Sequence, residues 1–159
     1  WLHWCYRKPS DLTFGDFTLL AAEGTQQGDP LGPLIFAVGI HPLVRQIAEE
    51  CPGLACNLWY LDDGVLCGRR EEVLRAVEIL QNSGPALGIH VNFGKCEIHS
   101  HPIGREGASR FRAAAWSKGM HIPDKQVFAD GLMSLLVAPI GSADYCASFL
   151  KKECVTPAL

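Results

Sequence analysis

Trp59-Tyr60-Leu61-Asp62-Asp63-Gly64 decides how the rest of this 159-residue chain is read. Residues 55–61 are largely apolar around an aromatic pair, and residues 64–68 are apolar again. That pattern predicts two short strands over residues 55–68, with both aspartates at the tip of a hairpin. Asp63-Gly64 is the turn signal. Adjacent carboxylates between water-excluding strands are costly to ionise unless a cation neutralises them. The pair therefore asks for a divalent metal. Asp-Asp-Gly is also an ordinary turn sequence, and six residues alone do not separate the two readings.

A second stretch, Gly24-Thr25-Gln26-Gln27-Gly28-Asp29-Pro30-Leu31-Gly32-Pro33, precedes the hairpin. Gly88-Ile89-His90-Val91-Asn92-Phe93-Gly94-Lys95-Cys96-Glu97 and Leu136-Val137-Ala138-Pro139-Ile140-Gly141 follow it. Four blocks in this order resemble the palm of reverse transcriptases, specifically the non-LTR (LINE-like) retrotransposon branch. The resemblance implies an α+β fold: an antiparallel sheet with packed helices in the split β-α-β, ferredoxin-like arrangement. Residues 1–159 would form a single partial reverse transcriptase domain, with the fingers and first catalytic strand upstream of it and the thumb downstream.

The activity implied is RNA-directed DNA polymerisation by two-metal nucleotidyl transfer, which needs two divalent ions about 3.5–4 Å apart. Magnesium suits hard carboxylate ligands, and manganese is a possible substitute. By resemblance Asp62 is the bridging ligand, Asp63 assists it, and Tyr60 sits under the primer terminus. Gln27, Gly28 and Pro30 would line the incoming nucleotide and templating base. Lys95 would approach the leaving pyrophosphate, where a proton or a positive charge lowers the barrier. Pro139, Ile140 and Gly141 would steady the primer strand. The implied partners are an RNA template, a DNA primer, deoxynucleoside triphosphates and the remainder of a polyprotein. The implied location is intracellular and nuclear.

One departure stands against these matches. The family has an upstream strand whose aspartate binds both metals, and Asp11 and Asp16 lie instead in turn-like contexts. A catalytically inactive retroelement remnant, with a structural or weak nucleic-acid-binding role, is thus the alternative. A small metal-binding domain unrelated to polymerases is the third reading.

Composition is compatible with each. Hydrophobic residues make up 48% and charged residues 19%, which is ordinary for a folded domain with a core. No apolar run reaches the roughly 18 residues of a membrane span, and the opening Trp1-Leu2-His3-Trp4 does not read as a signal peptide. The chain does not open with Met, so it is expected to be an interior piece of a longer product or a truncated one. A formal net charge of -3 neither supports nor opposes a polymerase palm, whose metal floor is acidic. The seven cysteines are odd in number and scattered, and read as reduced core thiols. Cys96, His99 and His101 have metal-ligand character without an evident fourth ligand; surface histidines are the other reading.

Elsewhere the residues predict a hairpin turning at Phe14-Gly15-Asp16-Phe17 after a short helical end. Pro33 suits the first position of a helix over 33–50. That helix is apolar nearly all round in its first half, which predicts deep burial, and Pro42 is expected to kink it. An amphipathic helix is expected over 69–80. Residues 101–130 read as loop-like and mildly basic, with a short helix at 111–116. A strand over 132–137 should lead into a turn at 138–141. Ser142 should cap a last helix over 143–152.

Overall fold

The computed structural model describes residues 3, 6–22, 24, 25, 28–100, 104–128, 131–135 and 138–152. The expected helical end before residue 9 lies largely outside them. The chain divides into two compact units, Trp1–Ile89 and His90–Leu159.

In the first unit, β1 (Ser10–Phe14) and β2 (Phe17–Ala21) form an antiparallel hairpin in the register Phe14↔Phe17. Gly15, at φ +58°, takes the left-handed position of its two-residue turn. Helix α1 (Gly32–Glu50) follows with Pro33 in its first turn. A second antiparallel hairpin, of β3 (Leu54–Tyr60) and β4 (Asp63–Gly68), comes next, then helix α2 (Arg70–Ser83). Glu71 and Glu72 lie in the first turn of α2, where negative charge complements the helix dipole. Ile40, Leu43 and Ile47 on α1 recur at helical spacing and are buried together with Leu74, Ala76, Ile79 and Leu80 of α2. Burial of side chains of this size contributes about 1.5–3 kcal/mol each for the larger ones. An Arg75–Glu50 ion pair of 3.1 Å ties the two helices at the surface.

Pro42 lies inside α1, and the helix runs through it to Glu50. The expected burial of the first half of α1 is not met. Leu34 and Val38 are 60% and 66% exposed, while Ile35 and Phe36 are only half-buried, so the first turns bury one side of the helix rather than its whole circumference.

In the second unit, β5 (Ile98–His99) pairs in parallel with β6 (Val127–Phe128). Helix α3 (Gly104–Trp116) lies between them in sequence and packs on both strands; its Ala108 and Ala115 are buried, as are Ile98, Met120 and Ile122. The helix thus begins seven residues before the short segment expected at 111–116. Its alanine-rich, charge-punctuated sequence gives a narrow apolar stripe that periodicity reads poorly. Gly119 (φ +78°) ends it, with Met120 N–H donating to the Ala115 carbonyl and Gly119 N–H to that of Trp116. That double closure is a Schellman cap. Strand β7 (Met133–Leu135) pairs antiparallel with β8 (Ala138–Ile140), and helix α4 (Ala143–Leu150) follows. Ser142 caps α4, its Oγ accepting from Tyr145 N–H at 3.3 Å. Residues 138–140, expected as a turn, are the returning strand of a hairpin whose connecting residues 136–137 lie outside the described set.

The architecture is α+β. Among the described residues the strands form separate two-stranded sheets, three antiparallel and one parallel, rather than one continuous antiparallel sheet. No helix among them is long and apolar enough to cross a membrane.

Candidate active site

The acidic hairpin forms where expected, with its turn displaced by two residues. Tyr60 pairs with Asp63, so the two-residue loop is Leu61-Asp62, and Asp63-Gly64 already belongs to β4. Leu61 takes φ +53°, a backbone region that bulky side chains seldom adopt. The reason for the displacement is packing at the next pair, Trp59↔Gly64. A Cβ on Gly64 would stand 2.6 Å from the Trp59 ring, so the indole lies across the glycine backbone. This demand keeps Gly64 in the ladder and moves the turn to Leu61-Asp62.

Strand alternation separates the hairpin into two faces. Asn57, Trp59, Gly64 and Leu66 share one. There Trp59 Nε1–H donates to Asn57 Oδ1 at 2.7 Å, and Asn57 Nδ2–H donates to the Val44 carbonyl of α1 at 3.2 Å. The hairpin is therefore hooked onto α1 through Asn57. Leu58, Tyr60 and Asp63 share the opposite face, where Leu58 and Tyr60 are 63% and 62% exposed. Asp62 stands exposed in the turn itself. Two carboxylates and a tyrosine thus stand in solvent at one end of a hairpin whose other face is anchored.

Before α1, Asp29 organises the glycine- and proline-rich block. Its carbonyl accepts from Gly32 N–H at 2.9 Å and its Oδ1 from Leu31 N–H at 2.8 Å, closing the turn that contains Pro30. Its Oδ2 accepts from the Tyr6 hydroxyl. The Tyr6 hydrogen bond first, then that of Leu31, holds the Asp29 carboxyl below the ordinary carboxylate range. Gly28 is exposed at φ +90°, a conformation that disfavours any side chain. Pro30 is exposed in the turn, and Gln27 lies outside the described residues. The anchoring role of Asp29 escaped the sequence reading, although Asp before Pro is a turn signal.

Lys95 belongs to the second unit. It is exposed in a turn closed by Lys95 N–H on the Asn92 carbonyl (2.9 Å) and Gly94 N–H on Asn92 Oδ1 (3.1 Å). Neighbouring Cys96 donates to the Asn92 carbonyl at 3.3 Å, and burial pushes its thiol up. His99 stacks on Phe128 at 4.9 Å and meets Glu97 at 3.0 Å, while His101 lies outside the described residues. Pro139 and Ile140 lie on β8. A Cβ on Gly141 would stand 2.7 Å from Leu132 Cδ2, so glycine lets the chain pass close to that side chain before α4.

A family model described as Reverse transcriptase (RNA-dependent DNA polymerase) matches residues 1–125, well over half of the chain. The chain belongs to the reverse transcriptase family. The match takes in the Gly-Pro-rich block, the acidic hairpin and Lys95, and stops short of β8. Comparisons with curated proteins and with solved structures found no match.

Proposed function

We propose that the chain is the palm region of a non-LTR retrotransposon reverse transcriptase, in which Asp62 and Asp63 hold the divalent metal for nucleotidyl transfer. The observation that carries this reading is the exposed, adjacent carboxylate pair at the tip of a hairpin anchored by Asn57. The donor chemistry fits magnesium or manganese, since both carboxylates are hard oxygen ligands and such ions keep water and phosphate oxygens among their ligands. Among the described residues no third His, Cys, Asp or Glu joins the pair to complete a metal-holding group. Asp62 and Asp63 would hold the ion, which would supply Lewis-acid chemistry for the primer hydroxyl and the triphosphate.

The chain's own residues then position the reactants. Tyr60, on the same exposed face as Asp63, offers a ring under the primer terminus. Gly28 offers side-chain-free backbone to the nucleotide and templating base, and Pro30, in the turn closed by Asp29, lines them together with Gln27. Lys95 carries the positive charge, or the proton, that the departing pyrophosphate requires. Pro139, Ile140 and Gly141 support the primer strand. Substrates on this reading are an RNA template, a DNA primer and deoxynucleoside triphosphates, and the site of action is the nucleus.

Manganese titration with paramagnetic broadening of backbone resonances tests the metal assignment. Broadening should centre on residues 60–64, and Asp62→Asn should weaken binding by about tenfold or more, consistent with loss of a carboxylate ligand. Equal binding by Asp62→Asn would refute the assignment. A second reading, the inactive remnant, is favoured by the pair having no third carboxylate partner among the described residues. Primer extension on an RNA template, with Asp62→Ala as control, separates the two.

A further inference from the structure

Charge is distributed unevenly along this chain. Residues 104–126 carry Arg105, Arg110, Arg112, Lys118 and Lys125 against only Glu106 and Asp124, although the chain as a whole is at -3. Within that basic segment, α3 presents a groove of about 390 Å³ lined by Ser109, Arg112, Ala113 and Trp116. Arg105, Ser109, Arg112 and Trp116 follow one another at spacings of four, three and four, so they form a single stripe along the helix.

Trp116 is 53% exposed, a large aromatic surface at the C-terminal end of that stripe. The Arg112 guanidinium stands 5.9 Å from its ring centroid and also pairs with Asp124. His121 meets the indole edge-on at 4.4 Å, which fixes the ring plane. The Schellman cap at Gly119 holds the chain between Trp116 and His121 in place. Packing does not need the ring here, because the core face of α3 is made by Ala108 and Ala115.

An exposed, orientated indole with one guanidinium beside it, on a helix that carries a second arginine about three turns earlier, can stack a base and meet the phosphate backbone leading from it. We propose that this groove binds single-stranded RNA, with a base stacked on Trp116 beside the Asp124-paired Arg112 and a phosphate further along the strand held by Arg105. The choice of RNA rests on the polymerase reading above, in which the template is RNA; the groove would then hold an unpaired stretch of it. Charge complementarity selects a polyanion, and the aromatic platform selects one with unpaired bases. The Ser109 hydroxyl supplies a neutral hydrogen-bonding group between the two arginines.

Fluorescence anisotropy of a labelled oligouridylate, with the full 159-residue chain in EDTA, tests this without any contribution from metal at the aspartates. Trp116→Ala should weaken binding about tenfold, and Trp116→Phe should largely restore it, since any aromatic face can stack a base. Arg105→Gln should lower the salt dependence by about one phosphate contact. Helical circular dichroism of each variant checks that α3 is intact, and Trp116→Phe with Arg105→Gln decides the matter should Trp116→Ala fail to fold. Unchanged affinity in Trp116→Ala would overturn the proposal. So would equal binding of duplex RNA or polyglutamate, which would mean a general anion or acidic-protein surface, or a preference for single-stranded DNA. RNA binding lost in Asp62→Asn but kept in Trp116→Ala would sink the groove while leaving the polymerase reading. RNA binding lost in Trp116→Ala, with no manganese at Asp62, would leave the groove and sink that reading.

Discussion

Gly64 and Leu61 set the local geometry of the aspartates from opposite directions. A methyl group on Gly64 would push into the Trp59 ring at 2.6 Å. Gly64→Ala should therefore destabilise the hairpin by about 1–3 kcal/mol, the usual cost of overpacking, read as a lower denaturant midpoint. In a Trp59→Val background most of that cost should vanish, since the clash belongs to the pair. Leu61→Gly should act the other way. Relief of the left-handed penalty of about 1–2 kcal/mol exceeds the chain-entropy cost of glycine, of about 0.5–1 kcal/mol. Its midpoint should rise by the difference. At Asp29 the sign follows from the lowered carboxyl. The stabilisation from its bonds to Tyr6 and Leu31 is fully present above the ordinary carboxylate value of about 3.9. It is lost as pH falls through the depressed folded value. Tyr6→Phe should remove part of that acid dependence, measured as midpoint against pH between about 5 and 2.

At the scale of elements, the tie that matters most is Asn57, which joins the hairpin to α1. Asn57→Ala leaves Trp59 Nε1–H without its acceptor and the Val44 carbonyl without its extra donor. A loss of about 1–3 kcal/mol is expected, with faster amide exchange in β3 and β4. Periodicity exposed α1, α2 and the two hairpins of the first unit to within a few residues, because each has strong turn or cap residues at its ends. It could not identify Asn57 as the hook, since a polar residue within an apolar strand shows its partner only once α1 is packed beside it. For α3 the sequence showed basic residues and a short helical segment. Its start at Gly104 and the stripe linking Arg105 to Trp116 emerged only with the helix laid out.

Across the molecule, the two units carry separate sets of buried residues. Leu43 is 1% exposed between α1 and α2, and Leu43→Ala should cost about 2–5 kcal/mol. Hydrogen exchange should report that loss in α1, α2 and the acidic hairpin. Met120 is equally buried beneath α3, and Met120→Ala should speed exchange in α3, β5 and β6.

Sequence alone was enough for the family and for the presence of an acidic hairpin, because both rest on short blocks whose residue types are tied to local backbone demands: glycine and proline at turns, alternating apolar residues on strands. It also indicated the N-terminal cap at Ser142 and the turn at Gly15. Tertiary structure decided which residues make the acidic turn, since the Trp59 indole needs the bare backbone of Gly64 opposite it. It decided too that Leu34 and Val38 stay exposed despite their apolar surroundings, and that residues 138–140 return as a strand. These outcomes depend on which surfaces meet, and a linear pattern carries each residue's preference without the neighbour that satisfies it.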